Sequence, residues 1–340
     1  MSRLAKVLLL CVFIIVSLII AVKWWIADIE KPLNLEEPVL FTVAQGSSGH
    51  ALLEQLEQQG WLASKPLSIK LWMKFAYQGK SAKAGTYQLD SSMSVADVFD
   101  HFASGDEYQF SVRLVEGLTY SQWLTTLASH PHLEHDIDEA TTQALLANWP
   151  WQPEEGLDTL EGLLLADTYY FTAGTKASEI LSRAMRSMQH YLEQAWAGRA
   201  TGLPYATAYE ALIMASIVEK ETAVESERNE IAGVFVNRLE ANMRLQTDPT
   251  VIYGIGPTFD GNLTRKHLRQ QSPYNTYRIK GLPPTPIAMA GKPAIDAALH
   301  PSTTENLYFV AKGDGSHHFS TTLQAHNEAV YKYQIQPNKQ

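Results

Sequence analysis

Hydrophobic and polar positions change their pattern several times along the chain. From Val7 to Val22 there is no charge at all, and Trp24-Trp25-Ile26-Ala27 extend the apolar surface past Lys23. Leu4 to Ala27 is enough helix to cross a ~30 Å hydrocarbon core, with an aromatic belt at its end and a lysine able to snorkel. Residues 28–38, with Pro32 and Pro38, read as a linker. Val39–Val43 then reads as a strand, and Gln45-Gly46-Ser47-Ser48 as a turn into a helix through Leu52, Leu53 and Leu56 that stops at Gly60. A second helix is expected near Leu67 to Tyr77 with Gly79 after it, then a strand at Gly85–Leu89. A third helix, Val95 to Ala103, is capped by Ser94 and closed by Gly105. Residues 39–105 therefore form a small α+β domain.

Residues 106–335 read as a larger α+β domain. Phe110–Leu114 alternates as a half-buried strand, and Thr119 with Gln122 forms a capping box for a helix carrying Trp123 and Leu127. His130 to His135 reads as loop. Leu160–Phe171 is dense in apolar and aromatic residues and ends in a strand-like run, with Glu161 and Asp167 as carboxylates beside aromatics. Ser178 to Ala197 is an amphipathic helix. Tyr209 to Thr222 is another helix. At roughly 100° per residue, Met214, Ile217 and Val218 fall within about 60° of Glu221, and Glu219 nearly opposite. Ser226 is a candidate cap for the next helix, through Ile231, Val234, Phe235 and Leu239. Tyr308-Phe309-Val310 reads as a strand, and a short helix follows through His326-Asn327. The expected fold class is thus α+β, with a single N-terminal transmembrane helix, a small domain, and a larger domain whose helix-borne Glu221 lines a groove.

Charge gives that plan a direction. Arg3 and Lys6 precede the apolar run, whereas Asp28, Glu30, Glu36 and Glu37 follow it. The positive-inside rule puts residues 1–6 in the cytoplasm, 7–27 in the membrane and the bulk outside. A cleaved signal peptide is the competing reading, but no Ala-x-Ala-type site follows the core. The net charge is −9, with no basic cluster beyond the N-terminus, which speaks against nucleic acid as a partner. The single cysteine, Cys11, lies inside the span, so the exported part forms no disulfide and holds no cysteine-ligated zinc. His300, His317, His318 and His326 lack an accompanying carboxylate at a recognised metal spacing. No metal and no cofactor is expected.

Candidate chemistry centres on Glu221. A carboxyl on the buried side of a helix loses hydration and its pKa rises, the condition for a general acid near neutral pH. The same pattern arises from a structural Glu hydrogen-bonded to a neighbouring loop. Glu225, four residues on, would share the face of Glu221 if the helix continued; a solvent-exposed residue at the helix end is the alternative. Gln246, Asp248, Tyr253, Asn275 and Tyr277 are hydrogen-bonding groups suited to sugar hydroxyls, although such residues also cap turns.

The chain resembles the endolytic lytic transglycosylases of bacterial cell walls, the MltG/YceG-like family. The resemblance rests on Ala215-Ser216-Ile217-Val218-Glu219-Lys220-Glu221-Thr222, Asn237-Arg238-Leu239, Leu245–Gly254, Tyr274-Asn275-Thr276-Tyr277, Gly281–Ile287, and His317-x-Phe319 with His326-Asn327. Glu161-Gly162 and Asp167-Thr168-Tyr169 also fit, while Leu163–Ala166 departs from the aromatic and Pro that family members often carry. The small domain is similar to LysM modules, which bind N-acetylglucosamine polymers; a ligand-free spacer is the alternative. The resemblance implies a lyase in the inner membrane with a periplasmic catalytic domain. It would cleave the β-1,4 bond between N-acetylmuramic acid and N-acetylglucosamine in peptidoglycan strands, leave 1,6-anhydro ends, and terminate strand elongation. It implies Glu221 as the catalytic residue, and brings in penicillin-binding peptidoglycan synthases as candidate partners. Two other readings stand beside it: a peptidoglycan hydrolase using Glu221 and Glu225, and an inactive glycan-binding scaffold.

Overall fold

The computed structural model describes residues 2–77, 81–151, 153 and 156–335; Gly79 lies outside these. The chain divides into two compact units. The first comprises Met1–Phe110 with Tyr170–Gly174, and the second Ser111–Tyr169 with Thr175–Gln340. The fold is mixed α+β with an N-terminal apolar helix.

In the first unit, α1 (Arg3–Ile29) is followed by β1 (Val39–Val43), α2 (Gly49–Gln58), α3 (Pro66–Phe75), β2 (Gly85–Leu89) and α4 (Val95–Ser104). β1 and β2 pair antiparallel, with Phe41 opposite Tyr87. Alternation places Phe41, Val43, Tyr87 and Leu89 on the inner face, where they meet Leu52, Leu56, Val98, Phe99 and Phe102. Phe41 stacks on Phe102 with ring centroids 5.4 Å apart. α4 starts on a full capping box, Ser94 with Asp97, and stops at Gly105, whose φ of 76° is left-handed.

Residues 28–38 are not a free linker. α1 runs on to Ile29, and Asp28, Ile29 and Leu33 are buried. Leu33 N–H donates to the Met93 carbonyl and Asn34 N–H to that of Trp61. The prolines and acids suggested solvent, but the apolar residues between them are spaced to join the core.

β3 (Phe110–Leu114) and β5 (Asp167–Phe171) keep Phe110 and Tyr170–Phe171 in the first unit, and the second unit holds the rest of both strands with α5 (Tyr120–Ala128), β4 (Leu133–Glu134), α6 (Glu139–Ala147), β6 (Thr175–Lys176), α7 (Ala177–Ala197), α8 (Ala208–Glu221) and α9 (Arg228–Glu240). It continues through α10 (Asp248–Ile255), α11 (Arg265–Arg269), α12 (Lys292–Leu299), β7 (Tyr308–Ala311), β8 (His317–Ser320) and α13 (Leu323–Val330). β3 pairs with β5, and the short β4, inside the stretch His130 to His135 read as loop, runs parallel to β6. β7 and β8 form an antiparallel hairpin, with Phe309 opposite Phe319. Gly162 is required by packing: at φ 75° an added Cβ would lie 2.3 Å from the Pro286 side chain.

α8 is the centre of this unit. Every residue from Ala208 to Val218 is buried except the half-buried Glu210. A helix apolar all round belongs in the middle of a core, not at its edge. It packs against α7, α9, α10 and α12. The single apolar stripe read from the sequence is therefore corrected: the face bearing Glu219 is packed as well. Ser216 shows how closely, since its hydroxyl donates to the Ile213 carbonyl and accepts the Ile287 N–H at 3.0 Å.

Candidate active site

Glu221 is the last residue of α8. Thr222 leaves the helix at φ −145°, ψ 137°, and α9 follows a short 3-10 turn at Glu225–Glu227. That geometry decides two readings. Glu225 is exposed on the turn and not one helical turn above Glu221, because the helix has ended. Ser226 does not cap α9, which starts at Arg228 behind Glu227.

The Glu221 carboxyl lines a cleft of about 510 Å³ together with Arg238, Gln246, Asp248, Tyr277 and Tyr308, among others. The side chain is half-buried in the cleft wall. Desolvation pushes the group up to about 7 from an ordinary 4.5. Thr247 donates its hydroxyl to Glu221 Oε1 and opposes that rise. The Asp248 charge adds to the rise, while His317 and Arg238 oppose it.

Thr247 is held by buried threonines. Its N–H donates to Thr276 Oγ1 at 3.0 Å, its carbonyl accepts from Thr250 Oγ1 at 2.8 Å, and Thr250 and Thr276 hydroxyls meet at 2.8 Å. Gln246 beside it adopts φ 53°, a left-handed conformation uncommon for a residue with a Cβ. Such strain persists only where the surroundings over-determine it, here a backbone bond from Gln246 N–H to the Thr276 carbonyl.

Arg238 of α9 is buried, and its guanidinium binds backbone rather than carboxylate. Nε donates to the Leu307 carbonyl at 2.6 Å and Nη1 to that of Leu245 at 2.7 Å. It lies 5.2 Å from the centroid of the Tyr308 ring, which stacks on His326 at 5.3 Å. His317 is fixed by Glu227, which accepts its N–H at 2.9 Å and contacts Nδ1 at 2.7 Å. The sequence motifs contained Arg238, Thr247, His317 and His326, but nothing in spacing alone showed that they converge.

Of the expected glycan-contacting residues, Gln246, Asp248 and Tyr277 line the cleft. The Tyr277 hydroxyl donates to Asp248 Oδ1 at 2.6 Å. Asn275 and Tyr253 do not line it. Asn275 is buried, and its amide donates to the carbonyls of His267, Leu268 and Gln270 that end α11. Tyr253 turns to Glu161, donating at 3.3 Å. Both were chosen for polar capability, which the fold spends on itself. Glu219 accepts the Gly291 N–H at 3.0 Å and lines a different, smaller pocket with Glu116, Asp167 and Arg228. Burial raises its pKa as well.

Glu161 is a second buried carboxyl, 4% exposed. It accepts the Tyr120 N–H at the start of α5, and desolvation pushes it up to about 7. A carboxyl whose folded pKa exceeds its unfolded value holds more protons in the native state across that interval. Its stabilising contribution is complete below about 4.5 and is lost as pH rises to about 7. Thermal stability should therefore fall across this window. Glu161→Gln, which keeps an acceptor for Tyr120, should remove about 1–3 kcal/mol of that slope. A melting series from pH 4.5 to 7.5 checks this; an unchanged slope in the variant would contradict it.

A polar and aromatic cleft with one desolvated carboxyl, in an α+β fold, is suited to proton transfer on a polar, hydroxyl-rich ligand. The chain belongs to the YceG-like family, which it matches over residues 41–332. It is 32% identical over 310 residues to a Bacillus subtilis protein named endolytic murein transglycosylase, covering 87% of this chain and 84% of that one. A Streptococcus pneumoniae serotype 2 protein of the same name is 27% identical over 333 residues; the chain spans 59% of its length. A crystal structure of a yceG-like protein from Listeria monocytogenes superposes with a TM-score of 0.54 at 29% identity, covering 86% of this chain and 99% of that one.

Proposed function

We propose that the chain is an endolytic murein transglycosylase, a lyase that cleaves the β-1,4 bond between N-acetylmuramic acid and N-acetylglucosamine within peptidoglycan strands, and that Glu221 is its catalytic residue. The observation that carries the reading is the Glu221 carboxyl itself, set in the cleft and held near neutral pKa by burial. At pH near 7 it is available in both forms. Thr247 occupies Oε1, so the other oxygen is left to carry the proton.

The acid form protonates the leaving glycosidic oxygen as the C1–O bond breaks. The C6 hydroxyl of the same muramyl sugar attacks C1, and the Glu221 carboxylate takes its proton. Tethering of that hydroxyl replaces the second carboxylate that a hydrolase needs to supply a nucleophile or activate water. Gln246, Asp248 and Tyr277 would contact sugar hydroxyls, with the Asp248 charge favouring positive character at C1. The buried Nδ1 of His326, which has no hydrogen-bond partner among the described residues, offers one more polar contact at the same wall.

Membrane placement supports the same reading. α1 is long and apolar enough to cross a bilayer. With Arg3 and Lys6 before the charge-free run and acids after it, residues 1–6 would be cytoplasmic, 7–27 would span the inner membrane, and the remainder would be periplasmic. The module at 39–105 would hold glycan in LysM-like fashion, and 106–335 would carry the chemistry. Cleavage of nascent strands there would terminate elongation beside penicillin-binding synthases.

Mass spectrometry of purified glycan strands digested by the protein tests the reaction. Internal cleavage with new muramyl ends lighter by one water is expected. Ends that retain the water would identify a hydrolase, and intact strands an inactive scaffold.

A further inference from the structure

α3 carries an apolar stripe that its own unit leaves uncovered. Ile69 and Met73 turn into the core, while Leu67, Leu71 and Phe75, spaced every fourth residue, are 70%, 40% and 66% exposed. Residues at i, i+4 and i+8 share one face of a helix. Lys70 and Lys74 are exposed along one edge of that face. An apolar stripe flanked by lysines is the pattern of a helix lying in a membrane interface.

Its position in the fold points the same way. α3 packs against the end of α1: Trp25 Nε1 donates to the Ser68 carbonyl at 2.9 Å, and Asp28 Oδ2 accepts the Lys65 N–H at 3.0 Å. Trp25 lies three residues past Val22, where the charge-free run stops, which is about 4.5 Å along a helix. α3 is thus held at the depth where α1 leaves the hydrocarbon. Trp24 and Ile26, 77% and 44% exposed, continue the apolar surface at that level.

We propose that α3 is a membrane-surface helix, seating Leu67, Leu71 and Phe75 at the boundary of the anionic bilayer that α1 crosses, with Lys70 and Lys74 among the lipid phosphates. The inference rests on α1 spanning the membrane, and it makes the bilayer a second support for the small unit. The unit would then be fixed at the membrane surface rather than swinging on a tether.

Spin labelling of the full chain in phosphatidylglycerol–phosphatidylethanolamine vesicles tests this. In a Cys11→Ser background, nitroxides are placed separately at Leu67→Cys, Phe75→Cys, Leu18→Cys in the span and Gln55→Cys on the exposed face of α2. Relaxation by oxygen, which partitions into lipid, is compared with relaxation by a water-soluble nickel complex. The oxygen-to-nickel ratio at Leu67 and Phe75 is expected to be several-fold above that at Gln55. A ratio at both positions equal to that at Gln55, with Leu18 lipid-exposed, would overturn the proposal alone. An aqueous Leu18 would overturn the span and the proposal together. Loss of the elevated ratio at Leu67 in the Lys70→Glu/Lys74→Glu variant, but not in vesicles of zwitterionic lipid with the lysines intact, would show that the contact needs no anionic headgroup and overturn that part.

Discussion

Glu221→Gln should abolish strand cleavage, by about 10⁴-fold or more, while leaving folding and glycan binding in place. Gln is nearly isosteric and can still accept from Thr247, so the end of α8 keeps its packing. It can neither donate an acidic proton to the leaving oxygen nor take one from the C6 hydroxyl, and both steps are lost together. The wild-type rate should decline above pH near 7, where the acid loses its proton. Asp248→Asn removes a like charge and should move that limb to lower pH. Thr247→Val removes a bond that favours the carboxylate and should move it higher. Glu219→Gln, in the neighbouring pocket, and Glu225→Gln, on the exposed turn, should lose far less. Collapse in Glu219→Gln with activity retained in Glu221→Gln, at equal thermal stability, would mean that the chemistry lies in the other pocket. Turnover of defined glycan strands across pH 5 to 9 reads all five variants.

Arg238→Ala should cost about 3 kcal/mol of stability and most of the activity. The carbonyls of Leu307 and Leu245 would lose a charged donor inside the protein, and each such loss is worth about 1–3 kcal/mol. These bonds tie α9 to the start of the β7–β8 hairpin and to the loop that carries Thr247. Loosening them should displace Thr247 from Glu221 and Tyr308 from the cleft wall. Arg238→Lys should not restore either property, since an ammonium cannot reach both carbonyls with the geometry of a planar guanidinium. A melting curve and a rate for each variant check this; near-wild-type values for Arg238→Lys would show that only charge matters there.

Local signals in the sequence were reliable where a cap or an alternation set the element. Thr119 with Gln122 and Ser94 with Asp97 are capping boxes in the structure, and Val39–Val43 and Gly85–Leu89 are strands as read. Glu221 was legible as a carboxyl that burial would shift, but for an incomplete reason. The wheel treated α8 as amphipathic, whereas α7, α9, α10 and α12 enclose it, and that enclosure is a tertiary fact. α12 and α6 were not foreseen because their alanine-rich runs span only eight and nine residues. α10 was not read from the sequence, where residues 243–254 stood out only for their hydrogen-bonding side chains, yet Pro249 follows the first residue of α10, where its missing N–H costs nothing. The threonine cluster that aims Thr247 joins positions 247, 250 and 276, and the choice of Asn275 over Thr276 shows how little spacing says about which side chain a loop turns inward.

One carboxyl, Glu221, should move both protons, and no water should enter the product. The most direct measurement is digestion of purified glycan strands in heavy-oxygen water, followed by mass analysis of both new ends. No heavy oxygen should appear at either end, with cleavage absent in Glu221→Gln. Heavy oxygen at the new muramyl C1 would contradict the account and make the protein a hydrolase.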